Sequence, residues 1–459
     1  MSLEEKFIKL SEEFVELQKA YAELRKENAF LKQRIVELED KLGLNSSNSG
    51  LPTSKEIYKI ERKQRLSSGK NPGGQPGHKF NGYKMKEASV KIELLPAEES
   101  CVCGGELNLS AKYNIHQKIE ILPITPVVTE YYLREKICNR CSKNYKAELE
   151  DKKLLGKNVE TIIASLGGFF NNSKREIQEI LSKIFNLDIS LGLVSNSEGR
   201  VSSKIETKYE ELKEEAIESS HLHMDETGAN NKGKRHWCWI AGNKEVTVFK
   251  LANSRGKKAL ISFLPEYEGK VISDRYGVYN TYEKENRQIC LAHLRRDFKR
   301  FAHSKDKNLA IIGGELVKEI DEVFTIYREY KTGIIKKHEY RKRARELKQE
   351  MLDTLNKTYS VECAKQAQRV AGNIIKSFEM MWRFIDDDEI SPTNNFAERQ
   401  IKHYVKYRKN SYFTWSDRGD RFQERIKSIY ATAKLRNLNP FLQILQLSCT
   451  LTALTIIIR

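Results

Sequence analysis

The sequence predicts a multidomain chain of mixed class. It reads as an α coiled coil, a small β module, a helical module and an α/β core interrupted by an all-α insertion. Three observations predict this order. A seven-residue leucine repeat fills the first forty residues, the apolar period changes from helical to two near Ser219, and a long charged helical pattern returns after residue 305. At 459 residues the chain is long enough for about three domains with substantial cores. Lys and Arg total 80 against 63 Asp and Glu, a net charge of +17 that favours nucleic acid or an anionic membrane surface as partner.

Residues 1–43 form the coiled coil. Leu3, Leu10, Leu17, Leu24, Leu31 and Leu38 recur every seven residues, with Phe7, Phe14, Tyr21, Asn28 and Ile35 three positions before the next Leu. A core helix following a 3.6 period would drift off this register, so the seam predicts a zipper dimer. Asn28 at an a position pairs best with its own copy across a two-stranded parallel dimer, and Glu27 facing Lys32 would agree. Residues 44–90 are a basic linker. Between Lys55 and Lys86 there are nine Lys or Arg and two Glu. Lys55, Lys59, Arg62, Lys63 and Arg65 are the candidates for contact with a phosphate backbone, and Ile57 to Leu66 for a helix formed on binding.

In residues 91–150, Cys101-Val-Cys103 and Cys138-Asn-Arg-Cys141 bracket a stretch that reads as a β-hairpin around Pro123 and Pro126. Two knuckles feeding one hairpin would bring Cys101, Cys103, Cys138 and Cys141 around a structural Zn²⁺, with reduced structural thiols as the competing reading. The first pair is one residue short, with Ser100 where a ligand is expected. Cys238, Cys290, Cys363 and Cys449 read as buried small residues, and so few cysteines suit a reducing cytoplasm. Residues 151–215 predict helices beginning near Asn158, Ser173 and Ser190, in a helix-turn-helix-like arrangement. The start of the chain has no signal-like apolar stretch. The tract from Phe441 to Ile458 is too interrupted to span a membrane and reads as a C-terminal helix on the core.

Residues 216–304 predict strands at His221 to Glu226, His236 to Gly242 and Glu245 to Ala252. A crossover helix follows from Gly256 to Leu264, then strands at Lys270 to Asp274 and Gln288 to Ala292, and a helix from Leu294 to Phe301. Three meander strands, a crossover and a further strand match the opening of a ribonuclease-H-like core, in which the first and fourth strands lie side by side. Residues 305–385 are the all-α insertion, and residues 386–459 return to the core with a helix carrying Glu398. On this order Asp225, Asp274 and Glu398 converge, and three carboxylates repel unless divalent cations hold them. Two hard cations ~4 Å apart can clamp the attacking and leaving oxygens of a phosphodiester displacement.

Each residue has a plainer role to compete with. Asp225 and Asp274 could end strands into turns, and Glu398 could complete a capping box with Asn395. Asp386 to Glu389 read as an exposed acidic loop. His221 and His223 share the strand face of Asp225 and are read as core or supporting residues rather than a zinc site. Cys290-x-x-His293 lacks a partner pair as a metal site. His293 and Arg296 could approach substrate phosphate or form an internal ion pair, and Trp237 and Trp239 read as core.

Taken together, His-Met-Asp225-Glu-Thr-Gly, Gly-Lys-Arg-His-Trp-Cys-Trp239, Ser-Asp274-Arg-Tyr, Cys290-Leu-Ala-His-Leu-Arg-Arg-Asp-Phe, Asn-Asn-Phe-Ala-Glu398-Arg, Arg408-Lys-Asn and Ser416-Asp-Arg-Gly resemble the motifs of the insertion sequence 66 family of bacterial transposases. So does the Gly-Gly-Gln-Pro-Gly-His linker. The resemblance implies a DNA transposase with an Asp225, Asp274 and Glu398 triad, two Mg²⁺ or Mn²⁺ ions, strand cleavage and strand transfer. It implies a homodimer on transposon ends and target DNA, working in the cytoplasm at the nucleoid, with accessory proteins left open. Arg399, Arg408 and Lys409 are further DNA candidates. The one departure is the Cys101/Cys103 pair, where the family usually has Cys-x-x-Cys. A transposase-derived DNA-binding protein without catalysis and a ribonuclease-H-like nuclease or resolvase are the alternatives.

Overall fold

The structure, a computed structural model, describes residues 3–42, 85–97, 100–109, 112–361 and 365–448. The first element is α1 (Leu3–Leu42), an uninterrupted 40-residue helix about 60 Å long. Among the described residues its seam is exposed: Phe7 is 73% exposed and Leu17 67%, and Leu10, Leu24, Asn28, Leu31 and Leu38 are exposed as well. Lys55, Lys59, Arg62, Lys63 and Arg65 lie outside the described residues, as do the expected helix there, Cys363 and Cys449.

Among the described residues, nothing between 85 and 154 is buried, and the hairpin expected around Pro123 and Pro126 is not formed. β1 (Glu135–Ile137) and β2 (Asn144–Lys146) pair, antiparallel, across the Cys138–Cys141 turn, and a single antiparallel bridge joins Ser100 to Glu106 across the Cys101–Cys103 turn. Ile119, Ile121 and Val127 of the expected hairpin stretch are exposed.

Four helices follow: α2 (Lys157–Gly168), α3 (Lys174–Phe185), α4 (Leu191–Lys204) and α5 (Glu206–Ile217). Their starts are written in the sequence. Ser173 and Glu176 form a complete capping box on α3, and Ser190 caps α4 by accepting the Leu193 N–H. Ile163, Ile177, Leu181 and Val194 of α2, α3 and α4 form a cluster of their own, while α2, α4 and α5 also reach the sheet. Ala164, Val201, Ile205, Leu212 and Ala216 share one apolar cluster with Leu222, Met224 and Trp239 of the sheet.

The sheet has five strands: β3 (His221–Asn231), β4 (Lys234–Gly242), β5 (Thr247–Ala252), β6 (Lys270–Ser273) and β7 (Arg287–Ile289), with α6 (Lys257–Phe263) as the crossover between β5 and β6. The order is β5-β4-β3-β6-β7. The first three strands run as an antiparallel meander, and β6 and β7 are parallel to β3. The first and fourth strands are therefore neighbours, as the pattern predicted. β3 runs five residues beyond the expected Glu226 end, because its ladder with β4 continues to a hairpin at Lys232-Gly233, where both residues have positive φ. The fifth strand is shorter than expected, since Cys290 is already the N-cap of α7 (Leu291–Ala302).

The insertion consists of α8 (Lys307–Lys331), α9 (Lys337–Lys357) and α10 (Lys365–Lys376). Leu316, Ile320, Tyr340, Met351 and Ile374 pack with Leu294, Phe298 and Phe301 of α7. At the α7–α8 crossing a Cβ on Gly313 would meet the Ala302 backbone nitrogen at 2.1 Å, so only glycine fits. The chain returns as α11 (Asn395–Ser411), α12 (Asp417–Leu435) and α13 (Pro440–Leu447).

α11 covers one face of the sheet, packing Ala397, Ile401 and Tyr404 on Cys238, Ile240 and Phe249. α12 seals the open edge of β5. Glu424, Ser428 and Thr432 accept the Leu251, Phe249 and Thr247 backbone N–H groups at 2.7, 2.9 and 3.1 Å. A four-residue helical step of about 6 Å matches a two-residue strand step of about 6.6 Å, so one helix face serves alternate strand donors. No helix among the described residues is long and apolar enough to cross a membrane.

Candidate active site

Register brings the first two acids together. β3 pairs with β6 as His221 to Lys270, Leu222 to Val271 and His223 to Ile272. Continuing that offset two residues sets Asp225 opposite Asp274, on the same sheet face, where neighbouring strands are about 5 Å apart. Asp225 lies within β3, just past the end of its ladder with β6, so it does not end a strand into a turn. Asp274 does serve a turn, accepting the Tyr276 N–H at 2.8 Å. Asp225 accepts the Glu226 N–H at 2.9 Å.

Glu398 comes from the first turn of α11, but not as a capping-box residue. Asn394 is the N-cap, makes no side-chain capping bond, and leaves Ala397 at the third helical position. The Asn394 side chain is used elsewhere: its amide donates to the Met224 carbonyl at 2.7 Å, and its Oδ1 lies 3.1 Å from His223 Nδ1. This pins the start of α11 against β3. Burial lowers His223 to about 4, so it stays neutral, and Phe396 stacks near it. His221 lies 3.7 Å from Glu389. Neither histidine joins Asp225 in a metal-binding group.

The acids act on one another. Burial pushes the Asp225 carboxyl up to about 8, and repulsion from Glu226, Asp274 and Glu398 adds to it, against the pull of the Glu226 N–H. Nevertheless, the ligand oxygens of Asp225, Asp274 and Glu398 are not all within 4.8 Å of one another. Like charges spread when no cation separates them, and a set serving two ions ~4 Å apart does not converge on a point. Three hard oxygen donors around a buried carboxyl in electrostatic debt suit divalent cations of the Mg²⁺ type.

Glu398 has His293 Nδ1 at 3.7 Å and Arg296 Nη2 at 3.8 Å beside it, one turn apart on α7; burial and the nearby Arg296 charge lower the His293 imidazole, so Arg296 is the cation of the two. These distances are longer than hydrogen bonds. Arg399 and Lys409 are exposed. Arg408 turns inward, giving its Nη1 to Thr227 Oγ1 at 2.9 Å and to the Gly228 carbonyl. It ties α11 to β3, so that guanidinium edge is spent within the fold.

Sequence reasoning missed three groups behind the acids. Glu226, on the opposite face of β3, accepts Tyr279 Oη at 2.5 Å and Arg255 Nε at 2.9 Å. Arg287, 2% exposed, donates to Asn280 and points its charge at Asp274. The adjacent acids Asp225-Glu226 in a buried strand were the available signal for the first. The residues of Asp386 to Glu389 are all paired away from the site, with Arg345, Lys270, Lys337 and Ser220 among their partners. Trp239 is core, whereas Trp237 is half-buried between the guanidinium groups of Arg235 and Arg255, each 4.8 Å away.

The four candidate zinc cysteines form two separate pairs. Cys101 and Cys103 sulfurs are 3.2 Å apart, and Cys138 accepts the Cys141 and Arg140 N–H groups, which hold its thiol below the usual range. The pairs are not gathered into one cluster, so these residues as placed do not fit one zinc ion.

A family model described as the transposase IS66 family matches residues 174–421, more than half of the chain. The chain belongs to the IS66 transposase family. A second model, described only as a family of unknown function, matches residues 8–84. Three Sinorhizobium fredii proteins, each called uncharacterized, are similar to this IS66-family chain. Protein y4hP is 21% identical, covering 76% of the chain and 70% of its own length. Protein y4qI is 22% identical over 57% of the chain and 53% of its own length, and y4jD 25% over 44% and 42%. The matched family region spans Asp225, Asp274, Glu398, Cys290 and His293 alike.

Proposed function

We propose that this IS66-family chain is an active DNA transposase, in which Asp225, Asp274 and Glu398 on a ribonuclease-H-like core cut and join DNA. The observation that carries the reading is the β3–β6 register, which sets Asp225 opposite Asp274 on the face that α11 covers with Glu398. Strand order β5-β4-β3-β6-β7 with an all-α insertion ahead of α11 supports the fold assignment.

The chemistry supplied by a bound pair of Mg²⁺ or Mn²⁺ ions is Lewis acidity at the attacking and leaving oxygens of an in-line displacement. The protein's part is positional. Asp225, Asp274 and Glu398 would hold the pair. The Glu226 and Tyr276 N–H groups fix one oxygen of Asp225 and of Asp274, leaving the other free to ligate. His293 and Arg296, standing off Glu398 by nearly 4 Å, are free to turn to a DNA phosphate once Glu398 is engaged. Water would be the first nucleophile and the freed 3′-OH the second, so no protein nucleophile is required.

The exposed seam of α1 would pair two protomers on two transposon ends. The net charge of +17 and the basic linker suit DNA. A structural zinc ion would require the two cysteine pairs to close on each other. Accessory proteins, cytoplasmic location and association with the nucleoid belong to the same proposal.

The test is cleavage of a labelled transposon end in Mg²⁺. Asp225→Asn and Glu398→Gln are each expected to lower cleavage and strand transfer by about 10³-fold or more while retaining DNA binding in a gel-shift assay. Undiminished metal-dependent cleavage by either variant defeats the triad. Cleavage by wild type without strand transfer would favour a nuclease or resolvase, and binding without cleavage a DNA-binding derivative.

A further inference from the structure

Two helix starts meet at the candidate active site. Cys290 is the N-cap of α7 and His293 lies in that helix's first turn, while Glu398 lies in the first turn of α11. They are stitched together by backbone: the Leu291 N–H donates to the Pro392 carbonyl at 2.9 Å, and the Asn394 N–H to Cys290 Sγ at 3.1 Å. One ligand atom from each of Cys290, His293 and Glu398 lies within 4.8 Å of the other two, and no other His, Cys, Asp or Glu triplet among the described residues does so. His293 Nδ1 is buried with no hydrogen-bond partner. It stands 3.7 Å from the Glu398 oxygen, too far for a hydrogen bond and close to the separation of two ligands on one tetrahedral ion.

The geometry points to a site for one thiophilic divalent cation of the Zn²⁺ type, ligated by Cys290 Sγ, His293 Nδ1 and one oxygen of Glu398. A mixed sulfur, nitrogen and oxygen set suits zinc or cobalt and is poor for Mg²⁺. Three protein ligands leave the fourth tetrahedral position open. Cys290 would release its proton to solvent on binding, as a coordinating thiol must. Burial raises that thiol, but the Asn394, His293 and Ala292 N–H groups around the sulfur favour the thiolate.

Glu398 is shared. An oxygen committed to this ion is withheld from the hard-cation set, so zinc binding acts as a brake on Mg²⁺-dependent cleavage. The brake rests on the proposed triad. The binding site does not.

The probe is Co²⁺ alone, added to the full-length chain with Cys101, Cys103, Cys138 and Cys141 all changed to Ser, so that their thiols cannot contribute. One equivalent should bind with a thiolate-to-cobalt charge-transfer band. Adding Cys290→Ser should abolish the band. His293→Ala and Glu398→Gln should keep it but weaken binding by at least about 10–100-fold, the cost of losing even an outer partner. A folded parent with no band, or a band unchanged by Cys290→Ser, overturns the proposal. Should Cys290→Ser melt early, unchanged cobalt affinity in both His293→Ala and Glu398→Gln overturns it equally. Asp225→Asn separates the two ideas: it should lose Mg²⁺-dependent cleavage while binding Co²⁺ normally. Full cleavage by that variant would sink the triad and leave the cobalt site standing.

Discussion

Asp225 is buried beside three other carboxylates, and its protonation ties metal, pH and stability together. Its folded pKa of about 8 lies far above the ~3.9 of an unfolded Asp. Between those values the folded chain holds a proton that the unfolded chain has lost, so metal-free stability falls as pH rises through roughly 4 to 8. The melting temperature in EDTA should therefore drop from pH 5 to pH 8, and Asp225→Asn should flatten that slope. Mg²⁺ should stabilise wild type more at pH 8 than at pH 6, since binding must displace the proton. A slope identical in Asp225→Asn would show that the proton sits elsewhere. Among these acids, Asp225, Asp274 and Glu398 were legible because each stood in a motif with a distinctive local pattern. Arg255 and Arg287 were not, since their contacts with Glu226 and Asp274 span 29 and 13 residues, and for Glu226 the adjacent Asp225-Glu226 pair was the one local signal. Cys290-x-x-His293 was visible but dismissed for want of a third ligand, which lies on another helix.

At the scale of elements, α12 does for β5 what another strand would otherwise do. Its Ser428 hydroxyl satisfies the Phe249 N–H, both fully buried. Ser428→Ala should cost about 1–3 kcal/mol in urea unfolding, because the N–H is stranded away from water. The same change at exposed Ser203, whose hydroxyl bonds only its own helix, should cost far less. The strands and the helix starts at Ser173 and Ser190 were read correctly from period and caps. The length of β3 was not, because it rests on pairing with β4 that continues through Asn231. The hairpin expected between the cysteine pairs is not formed, and among the described residues from 85 to 154 none is buried to hold it.

For the whole molecule, α1 presents an apolar seam whose described residues, among them Phe7, Leu10, Leu17, Leu24 and Leu31, are exposed. Leu17→Lys with Leu24→Lys should convert a dimer to a monomer in sedimentation equilibrium, and a dimer that persists would place the interface elsewhere. Asn28→Val should raise the melting temperature of the zipper while admitting other oligomers, since the polar a-position residue costs stability and fixes two strands. The body behind the zipper is built differently. α2, α4 and α5 share their apolar cluster with the sheet, with Phe422 and Ile426 of α12 and with Ile444 of α13. A truncation that removes α12 and α13 strips Phe422, Ile426 and Ile444 from that cluster and is expected to unfold the sheet together with α2, α4 and α5.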